Sequence, residues 1–63
     1  MLVLNRMEGE RIVIGDGADA IWVSVERIKG GMVRIGIAAP PHVAIDREEV
    51  RAAIEAERQG RAS

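Results

Sequence analysis

The side chains able to do chemistry in this chain are few and far apart. Three arginines stand out by position. Arg6 ends an apolar N-terminal stretch, Arg34 sits inside an alternating segment, and Arg47 precedes an acidic pair, Glu48-Glu49. A guanidinium is a planar fork of donors that fits a phosphate or a guanine edge bidentately. Covalent chemistry has no comparable support. The chain holds no cysteine, and Ser24 and Ser63 have no evident base partner. A single histidine, His42, cannot assemble a metal site. Asp16 and Asp19 supply too few oxygens for calcium. Glu48 and Glu49 are neighbours and point apart on a helix, so they suit its N-terminus better than acid–base work. Gly15-x-Gly17-x-x-Ala20 matches a relaxed dinucleotide fingerprint, but it leads into a strand and lacks the helix N-terminus that holds a phosphate. These residues point to recognition rather than catalysis, with no cofactor and no small-molecule substrate.

Composition narrows the partner. With 63 residues, the chain is one domain whose core is too small to stabilise it alone. Disulfides and a metal are excluded, so a second copy of the chain is the remaining stabiliser, and a homodimer is expected. The net charge is −1, which does not fit a non-specific polyanion binder; any nucleic-acid contact must be local. The same low charge disfavours a DNA-reading β-ribbon. Trp22 is the one aromatic residue, which argues against domains that stack bases on several rings. Arg6, Glu8, Glu10 and Arg11 interrupt any signal-peptide pattern, and no apolar run approaches membrane-spanning length. A cytoplasmic location is the expectation.

The elements that position these residues read as β first and helix last. Residues 2–6 form an apolar strand, Glu8-Gly9 a turn, and residues 11–14 a β-branched strand. Residues 15–19 are a loop. Residues 20–28 alternate, with Ile21, Val23 and Val25 on one face and Trp22, Ser24 and Glu26 on the other. Trp22 is expected to pack locally on that second face. Lys29-Gly30-Gly31 makes a tight turn. Residues 32–38 alternate again, Val33, Ile35 and Ile37 against Arg34, Gly36 and Ala38. Pro40-Pro41 ends this strand, since neither can donate to a ladder. His42 is expected to be exposed and inert, at the start of a fifth strand over residues 42–45. Strands thus occupy residues 1–45 and a helix residues 46–60. Asp46 is read as its N-cap with Glu49 three residues on, and Gly60 as its stop. The apolar stripe Val50, Ala53, Ile54 fades at Glu57, so the helix docks lightly or projects. Residues 61–63 read as a frayed tail.

Motif order adds a specific resemblance. Met1-Leu2-Val3-Leu4-x-Arg6, Gly9-Glu10, Ile14-Gly15-Asp16, Val33-Arg34-Ile35-Gly36, Ala39-Pro40 and Arg47-Glu48-Glu49-Val50 follow one another as in the carbon storage regulator (CsrA/RsmA) family. The chain resembles that family from residue 1 to about residue 57. The resemblance implies an intertwined homodimer, mainly β, of five short antiparallel strands per chain with projecting C-terminal helices. In it, the first strand of one subunit lies beside the fifth of the other. It also implies function: a bacterial regulator binding single-stranded GGA in hairpin loops of mRNA 5′ leaders near the ribosome-binding site. Such binding controls translation initiation, often by repression, and mRNA stability. Small decoy RNAs, or a flagellar assembly protein, act as antagonists in the family.

By the same resemblance Leu4, Asn5 and Arg6 form one lip of the RNA site. Ile45, Asp46 and Arg47 of the partner subunit form the other, with Arg47 the foremost contact. Arg34 is a further RNA-binding candidate, although a residue in its place is more often a structural or surface strand residue. Leu4 can cover a base face, and two sites per dimer allow bivalent binding. The chain departs from the family pattern at Asn5, Met7, Ala38, Pro41 and Asp46, where threonine, a basic residue, asparagine, a basic residue and histidine are usual. It also carries about three extra residues between Asp16 and Val33. Fewer positive charges imply weaker phosphate attraction. The alternative reading is a protein-interaction module of the same fold with weakened RNA binding.

Overall fold

The computed structural model describes residues 1–62, with side chains through residue 60. Its framework is a three-stranded antiparallel sheet, β1 (Arg11–Ile14), β2 (Ile21–Lys29) and β3 (Met32–Ala38), in the order β1-β2-β3. A short 3₁₀ turn, Gly17–Asp19, links β1 to β2, and helix α1 (Glu48–Ala62) ends the chain. The turn between β2 and β3 is Gly30-Gly31, with φ of 52° and 80°. Two successive positive φ values match the right-handed twist of the flanking strands, and only glycine adopts them freely.

Register follows the two-residue periodicity. Ile14 lies opposite Ile21, Ile12 opposite Val23, Val23 opposite Ile37 and Val25 opposite Ile35, so one face is aliphatic throughout. Trp22 pairs with Val13 and Ala38, Ser24 with Arg11 and Gly36, on the other face. A bulge between Val25 and Arg27 leaves Glu26 without a ladder partner and sets Arg27 opposite Arg34. The extra residue of a bulge re-aims the strand after it.

Among the described residues, three strands are found where the sequence suggested five. Residues 1–6 and 44–47 form no backbone bond to the sheet. A strand exists only where a neighbour completes its ladder, and both segments flank the sheet without one in a single chain. Residues 7–10 instead form a turn closed by Glu10 N–H donating to the Met7 carbonyl (3.0 Å), and Gly9 N–H donates to the Val25 carbonyl (2.8 Å). Residues 40–43 form a second turn, Val43 N–H donating to Pro40 O (3.0 Å).

The helix also differs at both ends. It starts at Glu48, and Arg47 contributes the first accepting carbonyl, to Arg51 N–H (2.9 Å). Arg47, not Asp46, therefore holds the N-cap position. Gly60 does not stop the helix, which continues to Ala62; a lone helical glycine costs only about 1 kcal/mol relative to alanine. Of the expected frayed tail, residues 61 and 62 are helical and Ser63 lies outside the described residues.

No described residue is buried. The accessible surface is 5740 Å², whereas a folded monomer of 6.8 kDa exposes about 4,000 Å². The radius of gyration is 15.1 Å against about 11 Å for a compact chain of this length. No Cα of the helix comes within 8 Å of a strand Cα, so the helix projects.

Candidate nucleic-acid interface

The N-terminal lip is shaped by Glu10. Its carboxylate accepts from Met7 N–H (2.8 Å), and its Oε1 lies 3.5 Å from Arg6 Nη2. Arg6 Nε also donates to the carbonyl of Asn5 (3.1 Å). Arg6 is thus held at the end of the N-terminal segment by a residue four positions on, with 40% of its side chain still exposed. Leu4 and Leu2 line a shallow apolar hollow with Ile12, Val13 and Ile14.

The second lip lies ahead of α1. Val43 and Ile45 reach into a groove on the aliphatic face with Ile14, Ile21, Val23 and Ile37. Asp46 accepts a bond from Arg51 Nε (3.0 Å), and Arg51 Nη2 approaches the carbonyl of Ala44 at 3.5 Å. Arg51 is the residue that sequence reading missed. It sits five positions after Asp46, one helical turn in from the start, where it reaches back to fix the 44–46 segment. Its charge offsets Asp46, the departure that most threatened an anion-binding surface.

Arg47 itself is 81% exposed and donates through Nε to Glu49 Oε1 (2.8 Å). Glu49 accepts from its own backbone N–H and from Arg47, and both hold its carboxyl below the usual carboxylate range. At the start of a helix this is the favoured placement of negative charge. Arg47 therefore stands in water in a set orientation, with only an exposed carboxylate to displace.

Within one chain the two lips are not joined. Among the described residues, no hydrogen bond or ion pair links residues 1–6 to residues 43–47. Arg34 stands apart from both, on the polar face of the sheet opposite Arg27. His42 is exposed, and its Nε2 lies 3.8 Å from Asp19 Oδ1. Asp19, within the lengthened Asp16–Val33 stretch, thus approaches the proline turn. Trp22 is 42% exposed and carries the Arg11 guanidinium over its ring, 4.7 Å from the centroid. No helix among the described residues is long and apolar enough to cross a membrane.

Comparison with known proteins gives consistent results. The family model described as "CsrA: Global regulator protein family" matches residues 1–56. A translational regulator CsrA of Leifsonia xyli is 50% identical over 62 residues, 98% of this chain and 69% of that protein. The translational regulators CsrA of Thermotoga maritima and Thermotoga petrophila are each 49% identical over 57 residues, 90% of this chain and 65% of theirs. The chain thus spans about two thirds of the length of these relatives.

Proposed function

Because the chain belongs to the CsrA family of global regulators, we propose that it acts as a homodimer that binds GGA-bearing hairpin loops in mRNA leaders and so controls translation initiation. The observation that carries the reading is the state of its two lips. Residues 1–6 and 44–47 have no ladder partner in their own chain, and they carry Arg6 and an 81% exposed Arg47. A second copy resolves both problems at once. The free segments of one subunit become edge strands of the other, and the surface in excess of a compact monomer, roughly 1,700 Å² per chain, is removed from water. Doubled, that area falls in the range of obligate dimers.

In the dimer, Leu4, Asn5 and Arg6 of one subunit face Ile45, Asp46 and Arg47 of the other. Backbone amides and carbonyls at the strand edges read the Watson–Crick edges of splayed loop bases, as single-stranded RNA recognition requires. Leu4 covers a base face. Arg47 exchanges Glu49 for phosphate or a guanine edge, a stronger charge-assisted partner once water is excluded. Arg51 supports this by neutralising Asp46. That pairing removes the main physical motive for the alternative, a protein-interaction module that has lost RNA affinity. Any RNA presenting the same loops, message or decoy, competes for the two sites.

A gel-shift titration tests the reading, using a hairpin with GGA in its loop and the same hairpin with CCA. Loop-dependent binding that falls at least tenfold in Arg47→Ala, with the dimer intact by light scattering, is expected. Equal weak binding to both hairpins, or a folded monomer, refutes it.

A further inference from the structure

The polar face of the sheet holds a concentration of positive charge that the lips do not use. Arg27 and Arg34 are placed directly opposite each other in the β2–β3 ladder, just past the Glu26 bulge. Like charges so placed repel. Neither their side chains nor that of the neighbouring Lys29 has a hydrogen-bond or carboxylate partner among the described residues. Glu26 on the same face accepts the Ser24 hydroxyl at its Oε1 (2.8 Å) and makes no ion pair with either arginine.

These residues border a row of three adjoining hollows, taken together as one trough. Hollows around Lys29 and Met32, around Glu26 and Gly36, and around Trp22 and Ala38 share their walls: Arg27 and Arg34 between the first two, Glu26 and Gly36 between the last two. Gly36 gives the Glu26–Ser24 pair room to lie down across the middle of this face. A Cβ there would meet Glu26 Oε1 at 2.6 Å and Ser24 Oγ at 2.8 Å. At the far end stands the Arg11–Trp22 stack. From Trp22 to Lys29 the trough runs about 23 Å, at ~3.3 Å per strand residue.

We propose that this trough binds single-stranded RNA flanking the main contact, with phosphates over Arg27, Arg34 and Lys29 and a base stacked at Arg11–Trp22. The inference rests on the RNA-binding reading above. A cationic groove beside an aromatic platform is what sequence-tolerant single-strand binding requires. Arg11 extends that platform, because a guanidinium plane stacks bases as a ring does. A bridging phosphate also relieves the Arg27–Arg34 repulsion, which no ion pair among the described residues does. In the homodimer proposed above, the second subunit takes the aliphatic face and leaves this one to other partners.

Trp22, the single tryptophan, reports on its own site. The test compares the GGA hairpin alone with the same hairpin bearing a single-stranded tail of ~10 nucleotides, within the site sizes such grooves span. The tail is expected to quench Trp22 emission and to tighten binding about tenfold. In the double variant Arg27→Gln, Arg34→Gln the gain from the tail disappears. The salt slope of log K falls by about 1.4, at roughly 0.7 per single-strand phosphate contact. The single variant Arg27→Gln gives half that change, and serves if the double variant loses its melting transition. If the hairpin binds but the tail changes neither affinity nor emission, the trough proposal fails and the main site stands. If neither RNA binds, both fail. If polyglutamate quenches Trp22 as strongly as the tail, the face serves acidic proteins and the proposal is overturned.

Discussion

Ile37 and Val13 offer a matched pair for testing whether a second subunit covers the aliphatic face. They lie on opposite faces of the sheet and are almost equally exposed in the single chain, 46% and 48%. Each is replaced by aspartate. Full burial of an aliphatic side chain is worth about 1.5–3 kcal/mol, so each loses roughly 1 kcal/mol of existing burial. Low β-propensity adds up to about 1 kcal/mol. An isolated chain therefore predicts equal losses of about 1–2 kcal/mol. If the aliphatic face is covered, Ile37→Asp loses the whole burial term and also desolvates a carboxylate, a penalty of several kcal/mol. The sum, about 5 kcal/mol or more per subunit, reaches the entire stability of a small domain. The assay is thermal unfolding by far-UV circular dichroism at several protein concentrations. Val13→Asp is expected to keep a cooperative transition lowered by about 5–15 °C. Ile37→Asp is expected to show none. Equal shifts in the two variants, with a midpoint independent of protein concentration, would refute the argument that a partner buries this face.

Three further expectations follow from the helix start and the sheet. Arg51→Ala frees Asp46 to compete for Arg47. Stability falls by under about 1 kcal/mol, as for an exposed pair, while hairpin affinity drops several-fold; adding Asp46→Ala restores it, and a double variant no better than the single disproves the coupling. Glu49 has a carboxyl pKa held below its ordinary value, by its own backbone N–H first and Arg47 second. A depressed folded pKa stabilises above the unfolded value and loses that contribution as pH falls through the folded one, so helicity at 222 nm decreases on acidification below the ordinary carboxylate range. Glu49→Gln removes that part of the titration, and an unchanged curve in the variant contradicts the assignment. Gly36→Ala pushes aside the Glu26 carboxylate and breaks its bond from Ser24, lowering stability by about 1 kcal/mol in thermal unfolding; no change means that both side chains move away without cost.

What short-range physics controls is legible in the order of the residues alone. Period-two alternation assigned Ile21, Val23, Val25, Ile35 and Ile37 to one face, and Gly30-Gly31 set the hairpin, because side-chain direction and glycine φ are local properties. The charge on Glu48-Glu49 marked the helix start to within a residue or two. The ordered motifs around Arg6, Arg34 and Arg47 were enough to indicate the family. Tertiary structure decided what depends on distant partners. Residues 1–6 and 42–45 have strand-like composition, yet a ladder needs a neighbour, and one chain does not supply it. Arg51 reaches Asp46 only once the helix has formed and turned its fourth residue back over the 44–46 segment. The bulge at Glu26 breaks the alternation, so Arg27 faces Arg34, whereas an unbroken register would pair Arg34 with Glu26 and Arg27 with Val33. Local pattern fixes which way a side chain points; which charge it meets is settled only when the segments are brought together.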